Sequence, residues 1–443
     1  MMKTVEKYFQ SIRQNKAKLY SFFEAMPKGA DIHHHALGAI WAEDVLEKAS
    51  EMGLWVDLKT GQLYDSLTRP LYKVADLVDD ELLRHQVFAQ WSVLSFDKCN
   101  GNSALHFFDI FPKLFAVFIG QEAYWLEKIA NQAAREGLLY IETLIEIPRI
   151  TNTLCQWGRE YNRWPDNPTV ADFEQYYAFL QKKGLEQQVA EILDTVAAWQ
   201  MALDKSPNPT AKLSYQFYAI RTMEPRAVFA QLLAYFEAAR HSAAIVGVNL
   251  VAPEYHPIAL RDYQLHMRIC AWLKGLYPEV NLALHAGELT ADIVGPEQLL
   301  FHIDEAVHLA GASRIGHGVD LLSETNADMI LEKMQSHHIA LELLPTSNDF
   351  ILNVKGAEHP AMTYLEAGIP ILLATDDPGL LRCRLSDEFF MMADTYETLT
   401  YGQLKKMAIN SLRYSFLEAE DKRKLLTSLE KAYLDFENQI ISG

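Results

Sequence analysis

The sequence predicts a closed α/β barrel of eight parallel strands, a (β/α)8 TIM barrel, with an N-terminal helical arm and helical insertions after strands one and two. Three observations carry that reading. Eight short apolar runs of β character punctuate the chain, and helical patterns separate most of them. Strands that alternate with helices form parallel sheets, and eight of them close a barrel. The glycine-rich loop that a doubly wound open sheet would place after an early strand is missing. GxGxxG, the phosphate loop GxxxxGK followed by Ser or Thr, and the nucleophile elbow GxSxG are all absent.

In chain order, residues 4–26 read as amphipathic helix running into Pro27. The strand candidates are 30–35, 138–146, 212–220, 244–251, 281–286, 314–319, 339–344 and 370–375. Helical stretches such as 225–241 and 257–275 lie between them. A plain barrel takes about 250 residues. This chain has 443, so the surplus sits in insertions. The larger spans about 36–137, with helical patterns at 76–95 and 121–135. The second spans 150–210 and holds the Trp164-Pro165-Asp166-Asn167-Pro168 loop and the Ser206-Pro207-Asn208-Pro209 linker. The organisation is therefore an arm over 1–26 and one barrel domain over 27–443.

Composition narrows the function classes. Apolar residues make up 49% and charged residues 22%, a folded and not a disordered balance. With 40 basic and 58 acidic side chains the net charge is -18, a field that repels nucleic acid. Cys99, Cys155, Cys270 and Cys383 are scattered without a CxxC pair, so neither a zinc knuckle nor a disulfide framework is visible. The first 26 residues carry charges throughout, unlike a signal peptide, and no run of about 18 apolar residues suggests a membrane span. A cytoplasmic protein without membrane or nucleic-acid partners is the expectation.

Four signals carry chemistry. In Asp31-Ile32-His33-His34-His35 a strand would point His33 and His35 to one face, a ready pair of metal ligands. A histidine-rich surface turn is the alternative. In His285-Ala286-Gly287-Glu288 the histidine ends a strand, where a barrel places its reactive groups, and Gly287 lets a substrate approach the backbone. A helix N-cap with a solvated glutamate is the alternative. His317 stands between Gly316 and Gly318 at another strand end, or in an incidental tight turn. Asp376 and Asp377 follow the apolar run PILLAT. Adjacent carboxylates are costly to bury unless a cation compensates them, though an Asp-Pro turn would also read this way. All four fall at predicted C-terminal strand ends, which argues for one shared metal site. Three histidines and one aspartate suit zinc with an open position for water. Residues 244–256 contain no lysine to bridge a pair of metals.

These motifs resemble the adenosine deaminase family of the amidohydrolase superfamily. The resemblance rests on Met26-Pro27-Lys28-Gly29-Ala30-Asp31-Ile32-His33-His34-His35, HAGE at 285–288, GHG at 316–318, Pro345-Thr346-Ser347-Asn348 and TDDP at 375–378, in that order. It extends from about residue 20 to 415. MPKG, the long N-terminal helix and Phe107-Phe108-Asp109-Ile110-Phe111 look most like the adenosine-deaminase-related growth factor branch.

The resemblance implies one zinc per chain on His33, His35, His285 and Asp376. It implies Glu288 as the proton shuttle at purine N1, His317 orienting the attacking water, and Asp377 at N7. Gly287 and the backbone N–H of Ala252 would contact substrate. The implied reaction is deamination of adenosine or 2'-deoxyadenosine to the inosine form plus ammonia.

Several positions depart from the family pattern, among them Leu144, which stands where an arginine usually follows the acidic residue of strand two. Leu37 stands where the family has an aspartate on the ribose, and Ala252 where it has glycine. They open the alternative of the same chemistry on another 6-aminopurine, such as adenine or N6-methyl-AMP. An idle growth-factor-like binding protein is the alternative from another class, but such a protein is free to lose ligands and none is lost. The N-terminal helix resembles that branch's dimerising arm. A homodimer through residues 1–26 and a helix capping the barrel's bottom are both open. His302, His308, His337 and His338 read as structural or surface, and Phe107, Phe108 and Phe111 as core.

Overall fold

The structure, a computed structural model, describes residues 2–66, 71–208 and 210–442. Residues 67–70 of the first insertion and Pro209 of the linker lie outside the described residues. Eight parallel strands occupy the predicted positions. They are β1 (Ala30–His35), β2 (Tyr140–Ile145), β3 (Lys212–Ile220), β4 (Ile245–Val251), β5 (Ala283–Ala286), β6 (Arg314–His317), β7 (Ala340–Leu343) and β8 (Ile371–Leu373). β2 and β4 are buried at every position, because helices cover one side and the barrel interior the other.

β1–β4 form one four-stranded sheet and β5–β8 a second. Two seams join them. At β4/β5 the Val248 N–H donates to Asn281 O at 3.0 Å. At β8/β1 the His35 N–H donates to Asp376 O at 2.7 Å, and the Asp376 N–H returns to His33 O at 3.0 Å. The ring of strands is therefore closed. The helices Pro225–Ala239 and Pro257–Leu276 fill two predicted helical stretches and begin with proline, whose missing N–H costs nothing in a first turn.

The arm differs from the single predicted helix. Met2–Ile12 and Lys16–Ala25 are separate helices, and the Asn15 side chain starts the second by accepting from Lys18 N at 3.1 Å. Their apolar faces pack inside the chain. Phe22 meets Tyr401 and Phe436, and Phe23 stacks on Phe389.

The first insertion carries the helices Ala42–Glu51, Glu81–Trp91, Ser103–Phe118 and Glu122–Arg135. It also holds a small antiparallel sheet that sequence reasoning missed, with Trp55–Val56 between Leu63–Tyr64 and Tyr72–Lys73. Two-residue strands leave no alternation to read. The second insertion is three helices, Pro148–Glu160, Val170–Lys183 and Leu185–Asp204. Among the described residues no single helix is long and apolar enough to cross a membrane. Only the pair Ser103–Phe118 and Glu122–Arg135, bent by 113°, passes that test jointly.

Candidate active site

The C-terminal ends of the strands surround a cavity of about 280 Å³. His35, His285, Glu288, His317, Asp376 and Asp377 all line it. His33 lies directly beneath, fully buried.

Four donor atoms converge at its base. His33 Nε2 is 3.0 Å from His285 Nε2, and His35 Nε2 is 3.2 Å from the same atom. Asp376 Oδ1 is 3.4 Å from His33 Nε2 and 3.2 Å from His35 Nε2. The opposite ring nitrogens are already committed. His33 Nδ1 donates to Glu342 Oε2 at 2.5 Å, and His285 Nδ1 to Asn249 Oδ1 at 3.0 Å. With Nδ1 committed, each ring has only Nε2 left to turn toward an ion held between them. Zinc–nitrogen bonds of about 2.0–2.1 Å imply tetrahedral ligand–ligand edges of roughly 3.3 Å. The cluster fits such an ion. Close donor groupings overlap on Asp376: His33, His285, His317 and Asp376 form one, and His35, Asp376 and Asp377 another.

A buried polar chain inside the barrel links the two committed histidines. From His33 it runs to Glu342, whose other oxygen accepts from Arg314 Nε. Arg314 continues to Glu142 at 2.6 Å, which also accepts from Gln216 Nε2 at 3.0 Å. Gln216 Oε1 accepts from Asn249 Nδ2 at 3.2 Å, and Asn249 holds His285. Burial alone would raise the Glu342 pKa, but Arg314 and His33 hold it below the usual carboxylate range. Sequence reasoning assigned no role to Glu342, Arg314, Gln216 or Asn249. The available signal was a polar residue inside an otherwise apolar strand, clear for Asn249 and Glu342 and weaker for Gln216 and Arg314, whose strands hold other polar residues.

The remaining groups are set by similar anchors. Asp376 Oδ2 accepts from Ser347 Oγ at 2.6 Å. His317 Nδ1 lies 2.9 Å from Asn348 Oδ1, while its Nε2 is buried without a hydrogen-bond partner and 3.8 Å from Glu288 Oε1. Burial lowers the His317 pKa to about 4, so the ring is neutral at pH 7. Glu254 accepts from the Gly287 and Glu288 backbone N–H groups at 3.2 and 2.9 Å and pairs with His302 at 2.6 Å. Burial, then the Asp376 and Glu254 charges, push the Glu288 pKa well above the usual carboxylate range. Burial and Asp376 do the same to Asp377.

Ala252 lines the cavity with φ +80°, a glycine-type conformation in a residue with a methyl group. His317 and Asp376 also have positive φ, at +68° and +63°. Such backbone costs on the order of 1–3 kcal/mol each and clusters at working sites. Gly287 does not line the cavity. Its N–H is taken by Glu254, and its missing side chain makes room for Asp320 and Ile303. Gly38 is required by Asp377: a methyl there would sit 1.5 Å from Asp377 Oδ1. Phe107, Phe108 and Phe111 do line the cavity. Phe107 is 2% exposed and part of the hydrophobic core, as expected, and Phe108 and Phe111 are partly buried against it, so the helix both joins the core and lines the pocket.

The family model for adenosine deaminase matches residues 175–432. The chain belongs to the adenosine deaminase family. The adenosine deaminase of Enterococcus faecalis is 33% identical over 156 residues, 35% of this chain and 42% of that protein. The matched region thus spans less than half the length of the curated relatives. Among solved structures, a zinc-bound amidohydrolase from Burkholderia ambifaria superposes with TM-score 0.61 at 16% identity, covering 96% of both chains. The N6-mAMP deaminase of Arabidopsis does so with TM-score 0.58 at 16% identity, covering 93% of this chain and 99% of that one. Both share the barrel fold.

Proposed function

We propose that the chain is a zinc-dependent aminohydrolase that converts adenosine or 2'-deoxyadenosine to inosine or 2'-deoxyinosine and ammonia. One observation carries this reading: His33, His35, His285 and Asp376 converge at the base of a cavity that also holds two carboxyls with raised pKa values. Family membership supports it.

A zinc ion on those four residues would lower the pKa of water at its open position toward 7. The protein's own groups do the rest. Glu288, protonated in its dry pocket, donates to purine N1 and makes C6 electrophilic. The neutral His317 holds the attacking water through its free ring nitrogen. The water oxygen bonds to C6 as one of its protons passes through His317 Nε2 to the exocyclic amine; the C6–N bond then breaks, ammonia departs, and the remaining hydroxyl proton returns to Glu288, leaving the 6-oxo product protonated at N1. Asp377, also kept protonated by burial beside Asp376, donates a hydrogen bond to N7. The backbone N–H of Ala252 is offered to the purine edge, and the methyl narrows the pocket there.

The test is ammonia release from adenosine and 2'-deoxyadenosine by the purified protein, with metal content measured in parallel. Turnover should vanish on chelation and return with zinc. Full activity in metal-free protein would overturn the reading. Asp376→Ala should lose both bound metal and turnover; a fully metallated variant would remove Asp376 from the ligand set. The same chemistry on another 6-aminopurine is the second reading. It is supported by Leu37, which lines the cavity with a side chain unable to hydrogen-bond a sugar.

A further inference from the structure

Resting on the aminohydrolase reading, the geometry points to an uncharged substrate: we infer that the cavity takes a 6-aminopurine nucleoside whose sugar carries a compact apolar group in place of a phosphate or a free 5'-hydroxyl.

The charge of the wall comes first. Among the described residues no lysine or arginine lines the cavity, whereas Glu146, Glu288, Asp376 and Asp377 do. Arg221, next to the lining residue Ile220, is buried behind the wall and donates to Leu250 O and His285 O at 3.0 and 2.8 Å. Arg149, beside the lining residue Pro148, is tied to Glu191 on the surface. Arg382 pairs with Glu43 at 2.8 Å, and Lys98 with Asp349 at 2.9 Å. A phosphate dianion entering here would lose its hydration and find no lysine or arginine in the wall to replace it.

The apolar side is equally specific. With the purine's reacting edge at the metal cluster, the rest of the substrate meets Leu37, Phe107, Phe108, Phe111, Phe115 and Ile119. Phe115 and Ile119 remain 44% and 48% exposed, an apolar lip that a ligand group would cover. Within this outer wall Glu146 is the one carboxylate. It accepts from Thr151 Oγ1 while lining the cavity. That leaves it able to accept from the secondary hydroxyls of a sugar.

The experiment measures kcat/KM for adenosine, 5'-deoxyadenosine, 5'-methylthioadenosine, AMP and N6-methyl-AMP with the zinc-loaded protein. The 5'-deoxy and 5'-methylthio nucleosides should match or exceed adenosine, and both monophosphates should fall about a thousandfold or more below it. Leu37→Asp should shift the adenosine to 5'-methylthioadenosine ratio about tenfold or more toward adenosine. Its metal content reports whether the site survived. A preference for either monophosphate, or for adenosine by more than about tenfold over both 5'-modified nucleosides, would overturn this inference and leave the deaminase reading standing. Silence on all five would overturn both.

Discussion

Glu288→Gln should keep its zinc and lose about 10²–10⁴ in kcat, the share a positioned general acid supplies. The amide preserves shape but cannot donate an acid proton to N1. Its backbone N–H still reaches Glu254 at 2.9 Å, so the turn that carries it is anchored independently of the changed group. The side chain stands outside the His33–His35–His285–Asp376 cluster and approaches His317 only at 3.8 Å. Single-turnover rates together with metal analysis separate the outcomes. A variant that keeps metal and full turnover would remove Glu288 from the chemistry. One that loses metal would place it in the ion's support instead.

The second large effect concerns stability. Arg314→Leu should cost about 3–5 kcal/mol, because it leaves the Glu142 and Glu342 carboxylates buried without their shared cation. Arg314 is 1% exposed, spans both acids, donates to Tyr414 O at 3.0 Å and stacks on Phe416 at 3.7 Å. A flexible ammonium cannot reproduce that fork, so Arg314→Lys should also destabilise, by less. Urea titrations of both variants read the difference. If Arg314→Leu does not fold, the lysine variant carries the measurement. A loss under about 1 kcal/mol in the variants would mean the chain of polar groups contributes little to the barrel. Because Glu342 positions His33, weaker zinc retention should accompany the lost stability.

The strands were legible because each is a short apolar run bounded by polar or glycine-bearing turns, and barrel strands are covered on both faces. The histidines and aspartates at their ends were legible because they stand in compact local motifs. The groups behind them were not. His33 and Glu342 are 309 residues apart, and nothing local to either announces the other. Gln216 in β3 and Asn249 in β4 look like minor interruptions of apolar strands until strand pairing brings them together at 3.2 Å. The break in the arm escaped notice because Arg13-Gln14-Asn15-Lys16 continues a helical composition, and only the Asn15 cap reveals the restart. Phe107, Phe108 and Phe111 share the spacing of a buried helix face. The same spacing also lets these residues line a cavity, which local sequence does not distinguish from burial against protein.

The β8/β1 seam bears on how the chain matures. His33, His35 and Asp376 make the backbone hydrogen bonds that shut the barrel, and the same three residues point their side chains at one another. Ring closure and assembly of the ion's cradle are thus a single event. A growing chain gains His33 and His35 well before His285 but cannot complete the set until residue 376 has been made and the last strand has swung against the first. Zinc capture should come at the end of maturation, and the captured ion should act as a latch. Stripping it should loosen this seam before any other, first visible as faster amide exchange at His35 and Asp376.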